Sequence, residues 1–427
     1  MEIKKLHEVF LQSNGIATDT RKVEKGQIFF ALKGDNFNGN EFALQALENG
    51  ALYAIIDEAR FKTSEKLILV PNVLDCLQKL AQFHRDFLGI PIIAITGTNG
   101  KTTSKELIRS VLKAKYKVGY TFGNLNNHLG VPLTLLSFNK DTEIGVVEMG
   151  ANHMNEIAGL CEIAKPDFGI ITNIGKAHLE GFGSYEGVIK AKCELYNYLA
   201  ANNKTVFVNG DDKILIEKSA KIERIKYGRD KSFYCFAEFS EASPFLIVKW
   251  KDKVVETQLV GEYNFNNVLL AICIGSYFKV DEIDILKALS TYKPENNRSQ
   301  LTQTSKNTLI VDAYNANPSS MELSILNFLN IIGDNKQLIL GDMFELGNNS
   351  KEEHQKIIKL IENNGFKNVL FVGQNFISLK NRPNSDFHFF ENTPALIEYL
   401  IKNEIKGMTI LLKASRGIQL EKIIPYL

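Results

Sequence analysis

A chain of 427 residues is longer than one ordinary hydrophobic core can organise, so two or three domains are expected. Its 50 Lys and Arg nearly cancel 49 Asp and Glu to leave +1, with 44% hydrophobic and 23% charged residues; that balance offers no electrostatic footprint for nucleic acid or an anionic membrane and points to a small, discrete substrate. No apolar run approaches the roughly 18 residues of a membrane span, the opening "MEIKKLHEVF" lacks a signal-peptide stretch, and five cysteines (Cys76, Cys161, Cys193, Cys235, Cys273) show no pair spacing, so a cytoplasmic protein with reduced, packing cysteines is expected.

Residues 1–88 mix short apolar runs ("QIFFAL", "ALYAIID", "KLILV") with turn-rich stretches such as "KGDNFNGNEF", the pattern of a small α/β module. Its last helix, "VLDCLQKLAQFHRDFL", stops at Gly89. Over residues 89–297 apolar strands ("PIIAIT", "EIGVVEMG", "DFGIITNIG") alternate with amphipathic helices ("TSKELIRSVLKAKY", "NEIAGLCEIAKP"), which predicts a parallel sheet covered on both faces. A second alternating series ("TLIVDA", "QLILGD", "NVLFVG", "TILLKA") fills residues 298–427 and predicts another doubly wound, Rossmann-like fold. The expected class is α/β in three domains around a central P-loop sheet.

"ITGTNGKTTSKEL" (residues 95–107) follows the first central strand and opens its helix. Gly97 and Gly100 are separated only by Thr98 and Asn99, two residues fewer than the usual P-loop spacing. A loop so placed can offer backbone N–H groups to phosphate oxygens, with Lys101 as a mobile positive charge and the Thr102 hydroxyl as a magnesium ligand. It can equally be a tight strand-to-helix connection. Glu148 at the carboxyl end of "IGVVE" and His178 just beyond "GIITNIG" fall on the same sheet edge, where open α/β sheets collect ligands; taken singly, each is also an ordinary strand-end polar group. In "SYEGVIKAKCELYNYL", Lys192 shares a helical face with Val188, Leu195 and Leu199, so it either snorkels to the edge or is held for a purpose.

These stretches resemble the ATP-dependent Mur ligases of peptidoglycan synthesis, whose phosphate loop has the short form Gly-Thr-Asn-Gly-Lys-Thr. The resemblance runs over essentially the whole chain, through "TDTRKVEKGQIFFAL", "GNLNNHLGVPLTLL", "EMGANHMNEI", "TNIGKAHLEGFGS", "DAYNANPSSM", "LGDMFELG" and "LLKASRG". The "GNLNN" and "YNANP" stretches are similar to those of the members that join D-alanyl-D-alanine to a UDP-N-acetylmuramoyl-tripeptide. The resemblance therefore implies amide ligation through an acyl phosphate, with ATP and two Mg²⁺ ions as cofactors, in a monomer with no nucleic-acid partner and no membrane span. A sister ligase adding the third amino acid, or an ATP-binding switch without ligase chemistry, remain the alternatives, and the third peptide residue stays open between lysine and meso-diaminopimelate.

Residue by residue, the resemblance implies the following. Gly97, Thr98, Asn99, Gly100, Lys101, Thr102 and Thr103 cradle the ATP phosphates, Asn264 and Asn267 meet adenine, and Arg298 with Asp312 closes on the nucleotide. Thr102, Glu148, His178 and a carbamylated Lys192 are the metal ligands, Lys101, Lys192 and His178 forming the catalytic set. Thr18, Asp19, Thr20, Arg21, Asn38 and Gly39 take the uridine nucleotide. Asn124, Asn126 and Asn127 meet substrate, and Tyr314, Asn315, Asn317, Lys413, Ser415 and Arg416 meet the dipeptide. The sequence departs from the family at His128, Cys193, Tyr263 and Ala414, which leaves the role of His128 open.

Overall fold

The computed structural model describes residues 2–294, 298–331, 333, 335–380 and 386–427; the expected boundary at residue 297 lies outside them. The fold is mixed α/β in three domains. The first carries a four-stranded parallel sheet ordered Ile16–Ala17, Ile28–Phe30, Tyr53–Ile56, Leu67–Leu69. Helix Val73–Leu88 follows, started by Asn72, whose side chain accepts from the Asp75 N–H, and stopped by Gly89 at φ 62°, a left-handed cap that suits glycine. This helix packs on the next domain: Leu6, Phe30, Leu77 and Leu80 share one buried cluster with Ile92, Val131, Leu160 and Val188.

A seven-stranded parallel sheet forms the centre, ordered Cys235–Phe236, Glu223–Gly228, Thr205–Asn209, Phe168–Ile171, Ile92–Thr96, Ile144–Glu148, Val118–Tyr120. Ile92–Thr96 and Ile144–Glu148 are buried along their whole length, as continuous apolar runs in a doubly covered parallel sheet must be. The chain first builds one side of Ile92–Thr96 and then crosses to the other with Phe168–Ile171. Such a reversal opens a crevice at the carboxyl ends of the strands.

One element was not legible in the sequence. Glu238–Ala242, Phe245–Trp250 and Lys253–Val260 make a three-stranded antiparallel sheet, whose Leu246, Val248, Val255 and Leu259 pack with Phe265 and Leu269 of helix Phe265–Tyr277. The last domain is a six-stranded sheet, parallel except for the edge strand Gln300–Gln303, ordered Gln300–Gln303, Thr308–Asp312, Thr409–Lys413, Lys336–Gly341, Leu370–Val372, His388–Phe390. A separate apolar cluster covers each of its faces. All five cysteines are free and buried, and no helix among the described residues is long and apolar enough to cross a membrane.

Candidate functional site

The loop between strand Ile92–Thr96 and helix Lys101–Leu112 depends on its two glycines. Gly97 sits at φ 138° and a Cβ there would lie 2.1 Å from Thr172 Oγ1; Gly100 sits at φ 77° with its Cβ position 2.8 Å from Asn267 Oδ1. The neighbouring strand-end loop clamps the turn from the side. Asn99 N–H donates to Asn173 Oδ1 (3.0 Å), Thr172 Oγ1 donates to the Asn99 carbonyl (2.6 Å), and Thr98 Oγ1 donates to the Gly175 carbonyl (3.2 Å). Lys101 folds back on the loop, donating to the carbonyls of Gly97 (2.7 Å) and Thr98 (3.0 Å). Burial lowers its pKa, with Glu148 opposing and Arg298 adding to the effect.

Glu148, at the end of the adjacent strand, is 2% exposed. Its Oε2 accepts from Thr102 Oγ1 (2.9 Å) and its Oε1 from Asn126 Nδ2 (2.9 Å). Lys105 Nζ stands 3.7 Å from Oε2, with its side chain fully buried. Sequence reasoning missed Lys105, although its place one helical turn after Lys101 puts it on the same face. Asn264 and Asn267, both buried, are linked by a 2.9 Å hydrogen bond, and Asn267 Oδ1 also accepts from Ser104 Oγ.

The last domain supplies the opposite wall. Asp312 Oδ2 accepts from Lys413 Nζ (2.5 Å) and Ser324 Oγ (3.0 Å). Arg298 does not pair with Asp312; its guanidinium lies 3.6 Å over the Tyr314 ring, with Arg416 at 5.2 Å from the same ring. Residues 98–103 of the glycine loop, with Asn124, Asn126, Asn127, Glu148, His178, Asn264, Asn267, Arg298, Asp312, Tyr314, Asn315, Asn317 and Lys413, thus line one cleft of about 510 Å³. The sheet reversal and the facing domain bring together what the sequence scatters over three hundred positions.

Other expected residues stand apart or are otherwise engaged. His178 lines the cleft at φ 51°, but its Nδ1 faces the Glu345 carboxylate of the last domain. Lys413, expected at the dipeptide, lines the cleft and donates one hydrogen bond to Asp312. Ser415, expected beside it, is 2% exposed and off the cleft wall: its hydroxyl accepts from Phe344 N–H (3.0 Å) and donates to the Ala316 carbonyl (3.2 Å), tying two loops together. Lys192 is also off the wall, 2% exposed, with Nζ 5.4 Å from the centre of the Phe182 ring. Burial, reinforced by Lys101, brings its pKa down to about 7. Asn127 Oδ1 accepts from the Leu129 and Gly130 N–H groups just before and at the start of helix Gly130–Leu136.

Thr18 to Arg21, Asn38 and Gly39 do not reach this cleft. Asp19 pairs with Arg21 (2.7 Å), and Asn38 bonds Glu58 and Asn40. Gly39 is required by packing, since a Cβ there would fall 2.4 Å from the Leu32 carbonyl oxygen.

Comparison with known proteins follows the same three-part layout. A model of the Mur ligase family catalytic domain matches residues 12–85, one of the Mur ligase middle domain matches residues 95–275, and one of the Mur ligase glutamate ligase domain matches residues 297–416. The UDP-N-acetylmuramoyl-tripeptide--D-alanyl-D-alanine ligase of Bacillus subtilis (strain 168) is 36% identical, over 96% of this chain and 92% of its own. A crystal structure of MurF from Acinetobacter baumannii superposes with a TM-score of 0.85 at 29% identity, covering 96% of this chain and 92% of that one. MurF ligase from Thermotoga maritima in complex with ADP superposes at 0.84 with 28% identity, covering 98% and 97%. With end-to-end likeness to such enzymes and three consecutive domain matches, the chain belongs to the Mur ligase family.

Proposed function

We propose that this chain is an ATP-dependent ligase that joins D-alanyl-D-alanine to a UDP-N-acetylmuramoyl-tripeptide through an amide bond. The observation that carries the reading is the 36% identity to a ligase of that name over nearly both full lengths, and the cleft between phosphate loop and last domain suits it. A carboxylate is a poor electrophile at neutral pH. Attack of the tripeptide carboxylate on the γ-phosphorus of ATP yields an acyl phosphate and ADP; the dipeptide amine then adds to the acyl carbon and phosphate leaves.

Phosphoryl transfer relies on positioning and charge neutralisation more than on covalent help from protein. Lys101, at the start of its helix and donating to the carbonyls of Gly97 and Thr98, carries a positive charge for which phosphate oxygens are strong partners. Thr102 Oγ1 and the Glu148 carboxylate provide hard oxygen donors. Mg²⁺ takes few protein oxygens and completes its shell with water and phosphate oxygens, so these two donors suffice for it. When bound, Mg²⁺ neutralises phosphate charge. The remaining roles are part of the same proposal: uridine nucleotide on the first domain, nucleotide closure by Arg298 and Asp312, dipeptide near Tyr314 and Asn315, and Lys192, whose burial favours the neutral amine, as a carbamate. The protein acts as a cytoplasmic monomer.

Phosphate release measured with a panel of UDP-peptides, ending in lysine or meso-diaminopimelate, and of amine donors tests the reading. D-alanyl-D-alanine with a UDP-tripeptide is expected to trigger turnover. A rate driven instead by a single diamino acid with a UDP-dipeptide would assign the chain to the sister reaction.

A further inference from the structure

The contact between Asn317 and Asn99 joins two domains through side chains that do nothing else across the cleft. Asn317 Nδ2 donates to Asn99 Oδ1 at 2.8 Å. Its own Oδ1 accepts from the Ser320 N–H (2.9 Å), while Ser320 Oγ accepts from the Asn317 N–H (3.1 Å), a capping box that starts helix Pro318–Leu329. Both ends of this 8%-exposed amide are therefore committed within the protein, leaving little for a dipeptide. Asn99 is equally fixed, its backbone N–H and carbonyl being held by Asn173 and Thr172. Two residues beyond Asn317, Ser319 Oγ accepts from the Lys176 N–H (3.0 Å), and a Cβ on Gly175 would lie 2.8 Å from that oxygen. The helix start thus rests on the phosphate loop and on the loop that clamps it.

From this geometry we infer that Asn317 is a positioning residue for the ligation: it latches the last domain onto the phosphate loop through Asn99. The inference rests on the ATP-dependent ligase reading above. Sealing matters because an acyl phosphate is open to water: the water oxygen attacks the acyl carbon, the bond from that carbon to the phosphate oxygen breaks, and the tripeptide carboxylate, phosphate and a proton leave with no amide made. Closure that excludes water suppresses this loss. A latch on the rigid loop makes closure depend on the loop's correct shape.

The test uses two single variants and their combination in the full chain. Asn317→Ser keeps a capping oxygen for the helix and removes the amide donor; Asn99→Ala removes the acceptor from the other domain. Loss of this partly buried hydrogen bond is expected to lower the amide-forming kcat about tenfold. Phosphate released per amide formed is expected to rise above one, and the double variant to be no worse than either single one, as for partners in a single contact. Circular dichroism checks that the variants remain folded. A raised KM for D-alanyl-D-alanine in Asn317→Ser alone, with phosphate and amide still equal, would place Asn317 at the dipeptide and overturn the latch, as would additive losses. A wild-type chain releasing no phosphate with any UDP-peptide would instead remove the ligase reading, and the latch with it.

Discussion

Lys101 donates to the carbonyls of Gly97 and Thr98 in its own loop, contacts that tie no distant element together. Lys101→Ala is expected to lower kcat on the order of 10³-fold while the thermal midpoint stays near that of wild type; a folded variant with a normal rate would refute the phosphate assignment. Glu148→Gln keeps the shape and the hydrogen bond from Thr102 but removes the charge, so the Mg²⁺ concentration for half-maximal rate is expected to rise. An unchanged Mg²⁺ titration would count against a metal role. For Lys192, burial favours the neutral amine, and a carbamate would turn the cation into an oxygen pair. Lys192→Ala is then expected to recover partly with acetate; recovery with small amines only would show that an ammonium was lost.

At the level of elements, helix Ile3–Leu11 is bound to helix Val73–Leu88 through two buried imidazoles. The Phe138 carbonyl can only accept, so His84 Nε2 carries a proton (2.9 Å), His84 Nδ1 is an acceptor, and His7 Nε2 donates to it (3.0 Å). Both rings are neutral in this arrangement, packed beside Phe10 and Phe87. Burial lowers both pKa values from 6.5; for His7 the neighbouring His84 lowers it further and Glu8 opposes. The unfolded chain therefore binds more protons once pH falls through 6.5, and stability is lost downward from there until the folded values are passed. Urea unfolding at pH 7.5 and 5.5 is expected to show a smaller loss for His7→Gln, which retains an N–H donor without titrating; equal losses would show that His7 carries none of the effect. These partners are separated by 77 positions, and the sequence gives no sign of the pairing. What it does reveal is local: fully apolar strands, the helix stop at Gly89, and a glycine loop after a strand. The antiparallel sheet of residues 238–260 escaped because the short run "FLIVKW" reads equally as a buried strand of the main sheet. Lys105 escaped because its burial against Glu148 depends on a strand 43 residues away. Ser415 and Asn317 sit in recognisable stretches, yet their hydroxyl and amide are consumed by contacts with Phe344, Ala316 and Asn99 that only the assembled domains create.

Across the whole molecule the buried clusters divide differently from the sheets. One core joins Leu6, Phe10, Leu77 and Leu80 to Ile92, Leu135, Leu160 and Leu195 without interruption, and Arg85 adds a 2.8 Å ion pair to Asp167 and a 3.1 Å hydrogen bond to the Ala164 carbonyl. The last domain instead keeps both faces of its sheet covered almost wholly by its own residues, Val260 and Phe245 being the outside contributors. A layer that buries its own apolar faces can fold alone, whereas one whose helix packs on a neighbour exposes that face when the neighbour is removed. A fragment of residues 298–427 is therefore expected to unfold cooperatively in urea, as is a fragment of residues 1–294. Residues 1–88 by themselves are expected to lack a cooperative transition, because helix Val73–Leu88 loses the partners of Leu77 and Leu80. A sharp transition in residues 1–88, or its absence in residues 298–427, would contradict this division.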